Sequence, residues 1–93
     1  MLPCVISQDI VKYLHEIKGF SLEEIADAIL LDVEEVESIL DGKGSFKPDN
    51  ITAIIQNIKI SMLHLISEAC PESHLDGRLK ENVIFYKKIK KKH

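Results

Sequence analysis

The feature that most restricts the fold of this chain is a helix-start signal that occurs twice, eleven residues apart. Ser21 and Glu24 form a capping box, in which the first side chain caps a helix and the acid three residues later reaches back to the capping residue. Asp32 and Glu35 repeat the same spacing. Because the second start comes so soon, the first helix has room for only about two turns. The sequence therefore predicts two short helices joined by a tight turn.

Apolar residues around the two boxes support a helix-turn-helix unit over residues 21–42. Ala26 supplies the small residue that such a unit needs where its helices cross. Gly42 is placed to end the second helix, as a glycine at that position commonly does. The apolar residues at helical spacing, including the staple partners that flank the boxes, are Phe20, Ile25, Ile29, Leu31, Val33, Val36, Ile39 and Leu40.

Three further helices are predicted around this unit. The first begins near Ser7, a good capping residue, and ends at Gly19. After a loop at residues 43–48, Asp49 caps a long helix that reaches Ala69, and its isoleucine stripe packs in the monomer core while the far end extends toward a partner subunit. Apolar residues between 79 and 89 predict a last helix that frays into the C-terminal tail.

Length and composition agree with an all-α fold of one domain. The chain has 93 residues, few aromatics and no Trp, and glycine and proline are sparse. We expect a compact single domain of four to five helices, in which residues 1–70 form the helix-turn-helix part. Residues 71–93 form a C-terminal helix and a basic tail that extend the same domain.

The residues around Ala26, together with the segments 41–43 and 47–49, resemble the repressor-type helix-turn-helix family that includes the phage Cro and CI proteins. The resemblance covers roughly residues 7–60, and it implies a lambda-repressor-like fold and a DNA-binding transcriptional regulator. Leu30 departs from it, since a glycine usually stands there, and this is tolerable if the turn takes a different backbone conformation. The residues that the resemblance assigns to DNA are Asp32, Val33, Glu34, Glu37, Ser38, Lys43 and Lys47.

The charge distribution suggests a second function. Residues 1–50 have a net charge of −7 and residues 51–93 a net charge of +4, much of it in the tail at 87–93. Carboxylates on the second helix oppose binding to phosphates, although a single acid can read cytosine. Two hypotheses stay open: a regulator that binds double-stranded DNA as a homodimer formed through the long fourth helix or the C-terminal helix, or docking of a basic protein partner. The acidic face for such a partner comprises Glu23, Glu24, Asp27, Glu34, Glu37 and Asp41.

Other classes of protein are not favoured by the sequence. The apolar stretch at 51–66 is interrupted by polar residues, so no membrane span is expected, and the N-terminus lacks a secretory signal, which favours a cytoplasmic location. Cys4 and Cys70 are then expected to be reduced. The four histidines are scattered, and Cys70 has no base beside it in sequence, so neither a metal, a cofactor nor an enzyme is expected.

Overall fold

The structure, a computed structural model, describes residues 2–91, and the regular elements in this range are helices joined by turns and loops, with no strand among them. The predicted all-α class is therefore confirmed. The tail residues Lys92 and His93 lie outside the described residues, as does the side chain of Lys91. The helices are α1 (Cys4–Lys12), extended by a π-helical turn (Tyr13–Ile17), α2 (Leu22–Ile29), α3 (Val33–Leu40), α4 (Pro48–Ile58), α5 (Met62–Ala69) and, after a 3-10 turn (Glu72–His74), α6 (Gly77–Lys91).

One apolar core joins these helices. α1 packs against α3 and α5, while α2 packs against α3 and α4, so the predicted helix pair is held between α1 and α4. The fully or almost fully buried apolar side chains are Ile6, Ile10, Val11, Leu14, Ile25, Ala26, Ile29, Val36, Ile39, Phe46, Ala53, Ile54, Leu65, Ile66 and Val83.

The first helix begins three residues earlier than expected, and Ser7 does not cap it. α1 starts at Cys4, directly after Pro3. Ser7 is buried inside the helix, where its Oγ accepts a hydrogen bond of 3.0 Å from the backbone N–H of Phe46. The prediction of a start near Ser7 is wrong because this hydroxyl serves a distant loop rather than its own helix end. Phe46, which the sequence placed in a loop, is fully buried.

The predicted long fourth helix is two helices. α4 ends at Ile58, Lys59 takes a left-handed conformation with φ 58°, and Ser61 caps α5 by accepting a hydrogen bond of 3.1 Å from His64 N–H. The isoleucine spacing runs through this break and so hides it. Leu65 and Ile66, at the far end of the predicted helix, are buried in the core of the monomer, so the expectation that this end needs a partner subunit is wrong.

Asp49 does not cap α4 either. Pro48 occupies the first turn, and the residue before the helix is Lys47, whose backbone N–H donates to Asn50 Oδ1 at 2.9 Å. This replaces the expected aspartate cap by an asparagine that reaches back over the helix start. Pro48 suits its position because the N–H that it lacks would have no partner within the helix.

The last helix packs on α5. Val83 is buried there, and Tyr86 Oη lies 2.7 Å from His64 Nδ1. Lys90 Nζ lies 3.9 Å from Glu68 Oε1, which adds a partly exposed ion pair along the same seam. The predicted final helix is therefore confirmed, and it begins at Gly77 and runs through Ile89 to Lys91.

Candidate docking surface

Both predicted capping boxes begin helices where the sequence placed them. Glu24 N–H donates to Ser21 Oγ at 3.1 Å, and Ser21 N–H donates to Glu24 Oε1 at 3.0 Å. At the second start, Asp32 N–H donates to Glu35 Oε1 at 3.3 Å. The two short helices and the tight turn between them are therefore confirmed.

Leu30 makes that turn in an unfavourable backbone conformation. Leu30 has φ 69° and ψ 43°, which is the left-handed conformation that glycine favours. The turn therefore keeps the usual backbone conformation although a leucine stands in place of the glycine. The Leu30 side chain is 68% exposed, so burial contributes little to holding it there. A left-handed conformation costs a non-glycine residue roughly 1–2 kcal/mol. The turn is thus held by its surroundings rather than by the preference of leucine.

Three side-chain amides fasten the ends of α2 and α3 to the helices beside them. Asn50 and Asn57 of α4 donate to the carbonyls of Ile29 and Ala28, each at 2.9 Å. Gln8 of α1 donates to the carbonyl of Leu40 at 2.8 Å. The last carbonyls of a helix have no partner within it, and these amides satisfy three of them. The helix pair is therefore fixed at both C-terminal ends by uncharged donors.

The outer side of the helix pair is strongly acidic. Residues 21–42 contain eight acidic residues and no Lys, Arg or His. All eight are exposed, and none of them forms an ion pair within residues 2–91. We call this set the acidic surface: Glu23, Glu24, Asp27, Asp32, Glu34, Glu35, Glu37 and Asp41.

Helix stability accounts for only part of the acidic surface. A carboxylate near a helix N-terminus is stabilised by the helix dipole, which explains the four glutamates in the first turns of α2 and α3. Asp27 and Glu37 instead lie in the last turns of their helices, and Asp41 directly follows α3. A negative charge is unfavourable at these ends. The helix pair would therefore be more stable without these three acidic side chains.

Six of the seven residues that the resemblance assigns to DNA are exposed in the structure. Asp32, Glu34 and Glu37 are exposed, as is Ser38, while Val33 is half-buried. The exposed residues Lys43 and Lys47 follow α3 in the connecting loop. Lys47 and Ser38 share with Glu35 the lining of a cleft of about 270 Å³. The lysines thus stand at the edge of a predominantly acidic face.

A larger groove, of about 440 Å³, lies between α2 and α4. Ile25, which is buried, and Ile58, which is half-buried, give it an apolar floor together with Phe20 and Ala28. The exposed carboxylates of Glu24 and Asp27 stand on the same wall. Sequence reasoning missed this groove, because only the packing of α4 on α2 brings residues 20–28 next to residues 57 and 58.

Cys70 acquires neighbours that the sequence did not reveal, but they do not make it a nucleophile. Burial, reinforced by the charge of Asp9 and a hydrogen bond to it, raises the pKa of Cys70 to about 12. Asp9 Oδ2 also lies 2.6 Å from His74 Nδ1. The thiol is protonated near neutral pH, whereas nucleophilic chemistry requires the thiolate.

Two other kinds of site are absent from residues 2–91. No group of three or more His, Cys, Asp or Glu side chains in this range is arranged to hold a metal ion. No helix in the same range is both long and apolar enough to cross a membrane. The acidic surface and the groove beside it are therefore the candidate site.

Comparison of the chain with protein-family models, with curated proteins and with solved structures gives no match in any of the three. The resemblance to repressor-type helix-turn-helix proteins therefore rests only on the residues around Ala26 and the segments 41–43 and 47–49.

Proposed function

We propose that this chain is a docking module, whose acidic surface and adjoining groove bind a protein partner with a basic, amphipathic surface. The observation that carries the proposal is the placement of Asp27, Glu37 and Asp41. They are exposed, they have no ion-pair partner within residues 2–91, and they lie at helix ends where a negative charge is unfavourable. A basic partner would reverse this cost.

The groove gives such a partner something to bury. Charge complementarity mainly speeds association and selects the partner, whereas an apolar side chain in a groove supplies much of the affinity. Asp27 and Glu24 stand on the wall of a groove floored by Ile25 and Ile58. A lysine-rich helix with one apolar stripe matches both properties, because its stripe fits the groove while its lysines reach the carboxylates.

DNA binding is the second candidate, favoured by the arrangement of α3. Glu34, Glu37 and Ser38 of α3 are exposed, and the exposed Lys43 and Lys47 that follow supply two cations for phosphate contacts. The acids on α3 oppose this function, since phosphate neutralisation supplies most of the affinity of proteins for DNA. Removing acids should therefore strengthen DNA binding and weaken protein docking.

This opposite sign gives the test. The wild-type protein and the double variant Glu34→Gln, Glu37→Gln are titrated against two probes at about 50 and about 200 mM salt. One probe is random-sequence duplex DNA, and the other is an amphipathic helical peptide built from Lys and Leu. Docking predicts that the wild type binds the peptide, that salt weakens the complex, and that the double variant binds several-fold more weakly.

Two further variants test whether the peptide contacts the acidic surface. Asp27→Lys should weaken peptide binding by about tenfold, which corresponds to roughly 1.4 kcal/mol. Glu72→Lys makes the same charge change in the 3-10 turn, outside the acidic surface, and should leave binding within about twofold of the wild type. A peptide with Glu in place of Lys controls for apolar binding alone. Tight DNA binding by the wild type together with no binding of the Lys–Leu peptide would contradict the docking proposal.

A further inference from the structure

The outer face of α6 is left uncovered by the other helices within residues 2–91. Val83 packs the inner face of this helix into the core, whereas Phe85 is 64% exposed and Ile89 is 44% exposed. Residues four apart lie on the same side of a helix, so these two side chains form one apolar stripe on the surface. Lys88, next to them in sequence, is exposed as well. The outer face of α6 is thus a basic helix surface with an aromatic anchor.

The charge of α6 is opposite to that of the acidic surface. Residues 77–91 contain six basic residues and one acidic residue, whereas residues 21–42 contain eight acids and no base. Of the α6 side chains that the structure describes, Lys90 pairs with Glu68 of α5. Arg78 and Lys88 form no ion pair within residues 2–91. The two surfaces are complementary in charge, and each also carries exposed or accessible apolar area.

These two surfaces do not pack against each other within one molecule. α6 packs on α5, whereas α2 packs on α3 and α4. The packing of α6 on the core holds it in this place, since Tyr86 forms a hydrogen bond with His64 of α5 and Val83 is buried. The apolar stripe of α6 can therefore reach a groove between α2 and α4 only on another copy of the chain.

We propose that the groove between α2 and α4 binds α6 of a second copy of this chain. Phe85 of one copy enters the groove over Ile25 and Ile58 of the other, and Lys88 approaches the carboxylates of Glu24 and Asp27. The inference rests on the proposed docking function and names its partner. Because the two contacting surfaces are different, the contact is head-to-tail, and it closes into a dimer if it is made reciprocally.

The size of the contact sets its strength. One helix in one groove buries less area than the roughly 1,200–2,000 Å² of a stable protein interface, so the association is weak and reversible. Exposed charges speed this association and add to the affinity that the apolar contact supplies, and salt screens them over a Debye length of about 8 Å at physiological ionic strength. Self-association should therefore be present at low salt and strongly reduced at high salt.

Sedimentation velocity of the full chain provides the test, since the monomer has a mass of 10.5 kDa. The wild type should sediment as a concentration-dependent dimer or larger oligomer at low salt. Asp27→Lys, Lys88→Glu and Phe85→Ala should each shift it toward the monomer. Lys12→Glu and Glu72→Lys make the same charge changes at exposed positions outside both surfaces, and should leave self-association unchanged.

Mixing two of the variants identifies the contact itself. Asp27→Lys reverses a charge beside the groove and leaves α6 unchanged. Lys88→Glu reverses a charge on α6 and leaves the groove unchanged. An equimolar mixture should form a heterodimer through the one intact pair of surfaces, although neither variant self-associates. Recovery of association on mixing would support the head-to-tail contact, and its absence would overturn it.

The remaining outcomes separate this inference from the docking function. A wild type that stays monomeric at low salt but binds the Lys–Leu peptide would overturn the second copy as partner and leave docking intact. A monomer that binds no peptide would end both proposals. If Phe85→Ala leaves self-association unchanged but abolishes sedimentation with vesicles containing phosphatidylserine, α6 faces a lipid surface instead, and the inference is overturned.

Discussion

Two asparagines of α4 allow the same kind of hydrogen bond to be compared at a buried and at an exposed position. Asn50 and Asn57 each donate to a carbonyl in the last turn of α2, at the same distance of 2.9 Å. Asn50 is only 5% exposed and its acceptor Ile29 is fully buried. Asn57 is exposed and its acceptor Ala28 is half-buried. Replacing either by alanine improves helix propensity by a similar amount, so that contribution cancels in the comparison.

The expected costs differ by about 2 kcal/mol. Asn50→Ala leaves the Ile29 carbonyl buried without a partner, which costs about 1–3 kcal/mol. It also removes the bond from Lys47 N–H at the start of α4, and losing a helix cap costs about 1 kcal/mol. Asn57→Ala leaves the Ala28 carbonyl free to bond with water. The free energy of unfolding should therefore fall only by the net value of one hydrogen bond, about 0.5–1.5 kcal/mol.

Urea and thermal unfolding followed by circular dichroism measure these costs. For a domain of this size, 1 kcal/mol shifts Tm by roughly 4–8 °C. Asn50→Ala should therefore lower Tm by at least about 8 °C more than Asn57→Ala does. Equal costs for the two variants would refute the reasoning, because burial would then not decide the strength of these bonds.

Three more predictions concern single residues. Ser7→Ala should cost about 1–3 kcal/mol in urea unfolding, because it leaves the buried Phe46 N–H unpaired, and amide exchange at Phe46 should speed up more than exchange in α1; uniform acceleration would argue against this. Stability should fall as pH rises from 9 toward 12, since the unfolded Cys70 thiol ionises near 9.0 and the folded one near 12, and Cys70→Ala should lose most of this dependence in urea titrations. Leu30→Val should lower stability by about 1 kcal/mol more than Leu30→Asn, since Asn tolerates the left-handed region and a β-branched residue does not; equal thermal stability of the two would count against strain at the turn.

The helix pair could be predicted because its signals are local. A capping box involves residues three apart, and an amphipathic helix shows its buried face within a few turns, so Ser21, Asp32 and Gly42 mark α2 and α3 without knowledge of the rest of the fold. The exposed side chains of the acidic surface follow from the same helical spacing. That part of the candidate site was therefore readable from the sequence.

The features that escaped prediction depend on contacts distant in the chain. Phe46 is buried because Ser7, thirty-nine residues earlier, meets its backbone. The groove exists because α4 packs on α2. The end of α4 escaped for a different reason, since the isoleucine periodicity continues across it, and Lys59 is not a residue type that indicates a left-handed turn. A glycine there would have predicted the break.

The uncharged amides that hold α2 and α3 make ionic strength a selective experimental control. Gln8, Asn50 and Asn57 fix these helices without charge, and the ion pairs found in residues 2–91 lie outside the helix pair. Added salt therefore has little to weaken in the scaffold, and it relieves repulsion among the eight clustered carboxylates. The same salt screens their attraction to any basic partner. Folding stability and complex stability should thus respond to salt with opposite signs, so a salt titration can release a partner from a module that remains folded.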